Sequence, residues 1–127
     1  MAPFYIFLGG GLGALTRWLL STLVQNFAEN TPLHRFPLGI LACNLLGCFL
    51  LGLLFGHFAG RHAPSWLFPL LATGFLGGFT TFSTFARDSQ ELFSQNLTLF
   101  GLLNLALSIL LGLLAVWVGL KITAFQN

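Results

Sequence analysis

A chain of 127 residues is long enough for one domain and no more. With 6% charged and 56% hydrophobic residues and a mean hydropathy of +0.87, it cannot furnish the polar surface of a soluble domain, which carries about 25% charge. A net charge of +2, from five basic and three acidic residues with no basic stripe, excludes a nucleic-acid surface. What remains is an all-α integral membrane protein, read as a single membrane domain over residues 1–127.

A hydrocarbon layer about 30 Å thick requires about 20 apolar residues of helix to cross it. Four stretches meet this length: residues 3–27, 36–60, 64–86 with an amphipathic extension to 93, and 97–120. The first has neither a basic leader nor a small-residue cleavage pattern and reads as a retained span. The connectors are short and polar, and prolines 32, 37 and 64 sit in them or at span starts, where a missing N–H does little harm. Pro69 falls in the first turns of the third span and is placed to bend it. Four is an even number, so both termini lie on one side. Arg61 and Lys121 share that side, and Arg35 and Arg87 occupy the other. Two against two gives no orientation bias, which permits either a single topology set by other forces or insertion both ways round.

In the first span Gly9 and Gly13 are spaced i,i+4, as are Gly52, Gly56 and Gly60 in the second. Small residues at that spacing let helices approach closely in lipid, within a chain or between two copies. Arg17 is the one charge deep within a span. Its burial costs about 3 kcal/mol on insertion scales, so it must snorkel, pin backbone carbonyls, or face an aqueous vestibule where it attracts anions. No span carries a carboxylate to neutralise it, which argues against a proton-coupled transporter. Asn44, in LACNLLGCF, needs a hydrogen-bond partner: it is helix-to-helix glue or a donor to an anion. Cys43 and Cys48, five apart, point in different directions and form no disulfide, and no cysteine or histidine pattern marks a metal site. In the fourth span Asn104 and Ser108 lie on one face with Gly101 and Gly112, as packing glue or as the wall of a narrow path.

The third span holds the densest signal, GFLGGFTTFSTF at positions 74–85. Gly74, Gly77 and Gly78 interrupt the helix-forming pattern, and in lipid a break survives only when buried in protein or lining a cavity. Freed carbonyls there favour hard cations, freed N–H groups favour anions, and Thr80, Thr81, Ser83 and Thr84 add hydroxyls serving either sign. Phe79, Phe82 and Phe85 recur every third residue, near one helical face. Such a row is core packing, or it presents the electropositive edges of its rings to a small anion.

GGGLGALTRW (9–18), GILACNLLG (39–47) and GFLGGFTTFSTF (74–85) resemble the three motifs of the CrcB/Fluc fluoride channels, and length and span number agree over essentially the whole chain. The resemblance implies a dual-topology antiparallel homodimer in the cell inner membrane, with two pores that export fluoride passively and exclude chloride. It implies a third helix broken near its middle and a structural sodium ion at the dimer centre, held by the backbone carbonyls of Gly77 and Thr80. Phe82 and Phe85 correspond to the pore phenylalanines and Asn44 to the pore asparagine. Ser83 and Ser108 correspond to polar pore positions, with Thr84 beside them, and Arg17 to the vestibule arginine. Two positions depart from the pattern: Ile40 stands where many members carry threonine, and Cys43 replaces a common apolar residue.

On this reading the chain is not an enzyme; its partners are fluoride, lipid and a second copy of itself, with no nucleic acid. Two competing readings fit less well. A small multidrug-type exporter needs a carboxylate inside its first span, and Glu29, Asp88 and Glu91 all lie near span ends. A helix-packing subunit without transport accounts for the glycines but not for the Thr/Ser/Phe run.

Overall fold

In hydrocarbon every backbone N–H and C=O must find its partner within the protein, and a helix achieves this segment by segment. The structure, a computed structural model describing residues 1–124, is accordingly all-helical. It comprises α1 (Ala2–Ala28), α2 (Leu38–His57), a π-helical run (Pro69–Leu76) that continues into the single turn α3 (Gly77–Phe79), α4 (Phe82–Ser94) and α5 (Thr98–Ala124). Among the described residues α1, α2 and α5 are long and apolar enough to cross a membrane. The third stretch is distributed over the π-helical run, α3 and α4.

The element ends follow local chemistry. Leu67 and Phe68 are already helical, so Pro69 sits in the first turns as expected, where its missing N–H is not needed, and the chain passes there into the π-helical run. The turn from α4 to α5 is made by Asn96, whose φ of 59° is the left-handed conformation that asparagine tolerates. Around it Asn96 N–H donates to Phe93 O and Leu97 N–H reaches back to Leu92 O at 2.9 Å, closing the last carbonyls of α4.

α1 packs along the π-helical run and α3, while α2 packs along α5. Both seams are built by backbone approaching backbone. A Cβ on Gly9 would strike the Leu70 carbonyl, and one on Gly13 the Phe75 carbonyl. Across the second seam Gly52 faces the Val116 carbonyl, Gly119 faces Phe49 and Leu53, and Gly56 faces Thr123 and Leu120. The stripes at Gly9/Gly13 and Gly52/Gly56, open in the sequence to either use, are thus consumed within the chain. Gly60 leaves the stripe altogether, turning the chain after α2 with φ 74°.

Among the described residues the buried apolar side chains are few: Ala28, Phe36, Leu41, Cys43, Leu76, Phe79, Phe85 and Leu92. Large apolar side chains such as Phe7, Trp18, Leu110, Leu113 and Trp117 face outward. That distribution would be intolerable in water and is neutral in lipid, whose tails are as apolar as leucine. Cys43 and Cys48 are both free thiols.

The two glycine environments separate cleanly by substitution. Gly13→Val should destabilise the fold by at least about 2 kcal/mol, because backbone cannot yield as a flexible side chain does. Gly11→Ala, with nothing within 4 Å of its added methyl, should be recovered intact. Size-exclusion profiles and thermal unfolding in detergent would distinguish the two.

Candidate functional site

The site is organised by two residues that are not helical. Thr80 (ψ 154°) and Thr81 (φ −149°, ψ 118°) are extended between α3 and α4. Their peptide groups leave the helical ladder and need partners. Thr80 N–H and its Oγ1 hydroxyl both donate to Leu76 O, at 2.9 and 3.0 Å. Thr81 N–H donates to Asn44 Oδ1 at 2.8 Å, and Asn44 Nδ2 donates back to Thr81 O at 3.2 Å. The side-chain amide of α2 therefore pairs with Thr81 as a neighbouring strand would. Thr81 Oγ1 then caps α4, accepting from Thr84 N–H at 3.3 Å. The same oxygen contacts Thr84 Oγ1 at 3.1 Å and Ser83 Oγ at 3.2 Å, which makes a cluster of three hydroxyls at the start of α4.

Two cavities meet at this cluster. The first, about 350 Å³, is lined by Asn44, Gly77, Thr80, Thr81, Phe82, Phe85 and Ser108. Ser108 Oγ is buried there without a hydrogen-bond partner. A buried hydroxyl left unpaired is uncommon and points to a ligand or water that completes it. Asn44 retains a second Nδ2 hydrogen beyond the one given to Thr81. The rings of Phe82 and Phe85 lie 5.5 Å apart at 53°, so one presents its edge obliquely to the other. The second cavity, about 480 Å³, is polar and charged; its walls include Ser21, Gln25, Arg35, Ile40, Thr84, Arg87, Asp88 and Glu91. Thr84 opens on this vestibule and Thr81 on the first cavity, so their 3.1 Å contact joins the two.

The predicted residues fall into place unevenly. Asn44, Phe82, Phe85, Ser108, Gly77 and Thr80 line one cavity, Thr84 lines the other, and Ser83 is exposed in the hydroxyl cluster between them. Arg17 lines neither: its Nε donates to Gly78 O at 3.2 Å, pinning α1 to the last turn before the extended residues. The phenylalanine row is not one face. The extended residues fall inside it, so Phe79 is 2% exposed and stacks on Phe75, Phe85 is 7% exposed at the cavity wall, and Phe82 is 79% exposed. Asn104 serves as glue: buried, it donates to Ser89 Oγ at 2.9 Å, and Ser89 donates to Phe85 O. Ile40 puts an aliphatic wall in the vestibule.

Sequence reasoning expected a vestibule at Arg17 and missed the residues that line this one. Its charges lie in connectors and in the amphipathic end of α4, where periodicity carries no information about what faces what. Arg87 pairs with Asp88 at 3.3 Å and Glu91 at 3.8 Å. Burial pushes the Asp88 carboxyl above its ordinary range, and the Arg87 guanidinium pulls it back.

Residues 4–120 match the family described as "CrcB-like protein, Camphor Resistance (CrcB)". The chain belongs to the CrcB-like family. Among curated relatives, one from Flavobacterium psychrophilum named "Fluoride-specific ion channel FluC" is 41% identical over 120 residues, covering 94% of each chain. Relatives of the same name from Bacteroides fragilis and Campylobacter lari are 44% and 43% identical, each over about nine tenths of both chains. CrcB-like proteins of this kind are named as channels, not enzymes, in line with the sequence reading.

The amide clamp and the orphan hydroxyl predict unequal stability effects. Asn44→Leu strands both Thr81 backbone groups and should destabilise the protein by about 2–4 kcal/mol. Ser108→Ala removes a hydroxyl with no protein partner and should stay within about 0.5 kcal/mol of wild type. Denaturation midpoints in detergent would test both.

Proposed function

We propose that this protein is a fluoride-selective passive channel of the cell inner membrane, working as a dual-topology antiparallel homodimer with two pores. One observation carries the reading. A single cavity gathers an unpaired buried hydroxyl (Ser108), a spare amide hydrogen (Asn44), two obliquely set phenylalanine rings and the hydroxyl cluster that joins it to a charged vestibule. The printed name of the curated relatives supports the choice of anion.

Fluoride is strongly hydrated, so a conducting path must replace water continuously and nowhere hold the ion deeply. Thr84, Ser83 and Thr81 offer hydroxyls in succession from the vestibule, Asn44 and Ser108 offer the next donors, and the edges of Phe82 and Phe85 offer weak positive potential in a rigid frame. A larger halide gains less from the donors and is crowded by the rings. The negative-inside potential contributes about 2.3 kcal/mol per 100 mV toward anion exit, so no pump is required. Arg17, held on Gly78 O, serves as the pin between α1 and the break in the third span.

The exposed ring of Phe82 and the openness of its cavity favour a partner copy that closes the site. A central sodium ion fits the backbone. Thr81 N–H turns to Asn44 and Thr84 N–H turns to Thr81 Oγ1, so the carbonyls of Gly77 and Thr80 lose the N–H groups that would take them in a continuous helix. Two carbonyls are too few to enclose a hard cation, and a second copy related by two-fold symmetry would double them to four oxygen ligands. The ion would tie the two breaks together and add fixed positive charge beside the path.

The test is purified protein in liposomes loaded with potassium fluoride, with valinomycin as the potassium shunt and a fluoride electrode outside. Fast fluoride release with negligible chloride release supports the proposal; silence from folded protein ends it. Phe82→Ile should slow release at least about tenfold, a loss of roughly 1.4 kcal/mol in the barrier. Asn44→Asp, which places a repelling charge in the path, should reduce release to background. Normal conduction by either variant, recovered as a folded dimer, would remove that residue from the pore.

A further inference from the structure

Gln25, near the end of α1, is the side chain that fastens the connector between α1 and α2. Its Nε2 donates to His34 O at 3.1 Å and to Phe36 O at 3.2 Å, while its Oε1 accepts from Gly39 N–H at 3.3 Å. One amide thus grips both sides of Arg35. The segment is anchored again by Phe36, which is buried edge-on against Phe100 at 5.8 Å. Gly39 seats the start of α2 on Ser21, where a side chain would not fit. Arg35 is left exposed at the wall of the vestibule, and among the described residues it makes no ion pair. The other vestibule cation, Arg87, faces two carboxylates, Asp88 at 3.3 Å and Glu91 at 3.8 Å, so Arg35 is the vestibule cation without an acidic partner among the described residues.

We propose that Arg35 is the cation that concentrates the permeant anion in the vestibule, and that Gln25 is the positioning residue that holds it there. This rests on the fluoride reading above. A guanidinium beside a water-filled cleft with low-dielectric walls raises the local anion concentration without standing in the narrow path, so it accelerates access without trapping the ion. Its reach is set by screening, about 30 Å at 0.01 M salt and about 3 Å at 1 M. The salt dependence of conduction is therefore the signature, and a merely structural role would not produce it.

The experiment measures initial fluoride release from liposomes at about 0.01 M and about 1 M ionic strength, set on both sides with potassium isethionate. Arg35→Gln should slow release about fivefold at the low strength and match wild type at the high one, whereas Arg35→Lys should match wild type at both. Gln25→Met, which keeps the side-chain length, should reproduce the salt-selective loss, and the double variant Gln25→Met with Arg35→Gln should be no slower than Arg35→Gln alone. Amide hydrogen exchange of wild type and Gln25→Met should show lost protection at Gly39. A loss by Arg35→Gln that is equal at both ionic strengths overturns the steering role. Additive losses, unchanged exchange at Gly39, or a Gln25→Met protein that cannot be recovered folded each overturn the positioning role. A wild type that releases no fluoride overturns the function itself and the steering with it; a conducting wild type whose variants behave otherwise overturns only this inference.

Discussion

An unpaired peptide group in hydrocarbon costs several kcal/mol, and the extended residue Thr81 survives because Asn44 removes that cost on both of its sides. A single amide supplies both an acceptor and a donor at the spacing of a peptide, so it satisfies Thr81 on both sides. Everything at the site depends on that pairing. It lets α3 stop and α4 begin, which frees Thr81 Oγ1 to cap α4 and gather Ser83 and Thr84. It also sends Phe82 out of the protein and Phe85 into the cavity wall, although both lie in one short run. In the channel proposed here Asn44 would hold the backbone with one amide hydrogen and have only the other left for the ion.

The scaffold around this clamp is held by a different principle. In water the packing of α1 on the π-helical run would be driven by burial of large side chains; in lipid that drive is absent. Gly9, Gly13 and Gly74 on one seam, and Gly52, Gly56 and Gly119 on the other, bring backbones within contact and gain dispersion there. Leucines and tryptophans are free to face outward. The interior this creates is thin, and polar links such as Asn104 to Ser89 and Arg17 to Gly78 fix positions that side-chain packing does not.

Much of this was legible residue by residue. The four apolar stretches, the requirement that Asn44 be paired, and the need to neutralise Arg17 all follow from solvation, which acts on each residue wherever it sits. Which partner each would take was not legible, because it depends on register between distant segments: Asn44 could have met any helix, and Arg17 could have faced water as well as Gly78 O. The phenylalanine spacing was misleading for a local reason. A period of three implies one face only on an unbroken helix, and the extended residues fall between Phe79 and Phe82. The grip of Gln25 on the 34–39 segment left no pattern at all, since its partners are backbone groups that every residue possesses.

The charges tie function back to insertion. Arg35 and Arg87 lie in the vestibule at one end of the chain, while at the other Arg61 leans on His57 and Lys121 lies 5.9 Å from the Trp117 ring. In the antiparallel dimer proposed here, two cations against two are what leaves each copy free to insert either way. The vestibule cannot gain positive charge without tilting that balance. Orientation is set by lysine and arginine and is little affected by acidic residues, whereas the field in the vestibule responds to both signs. Asp88 and Glu91 can therefore trim the field of Arg87 without disturbing insertion.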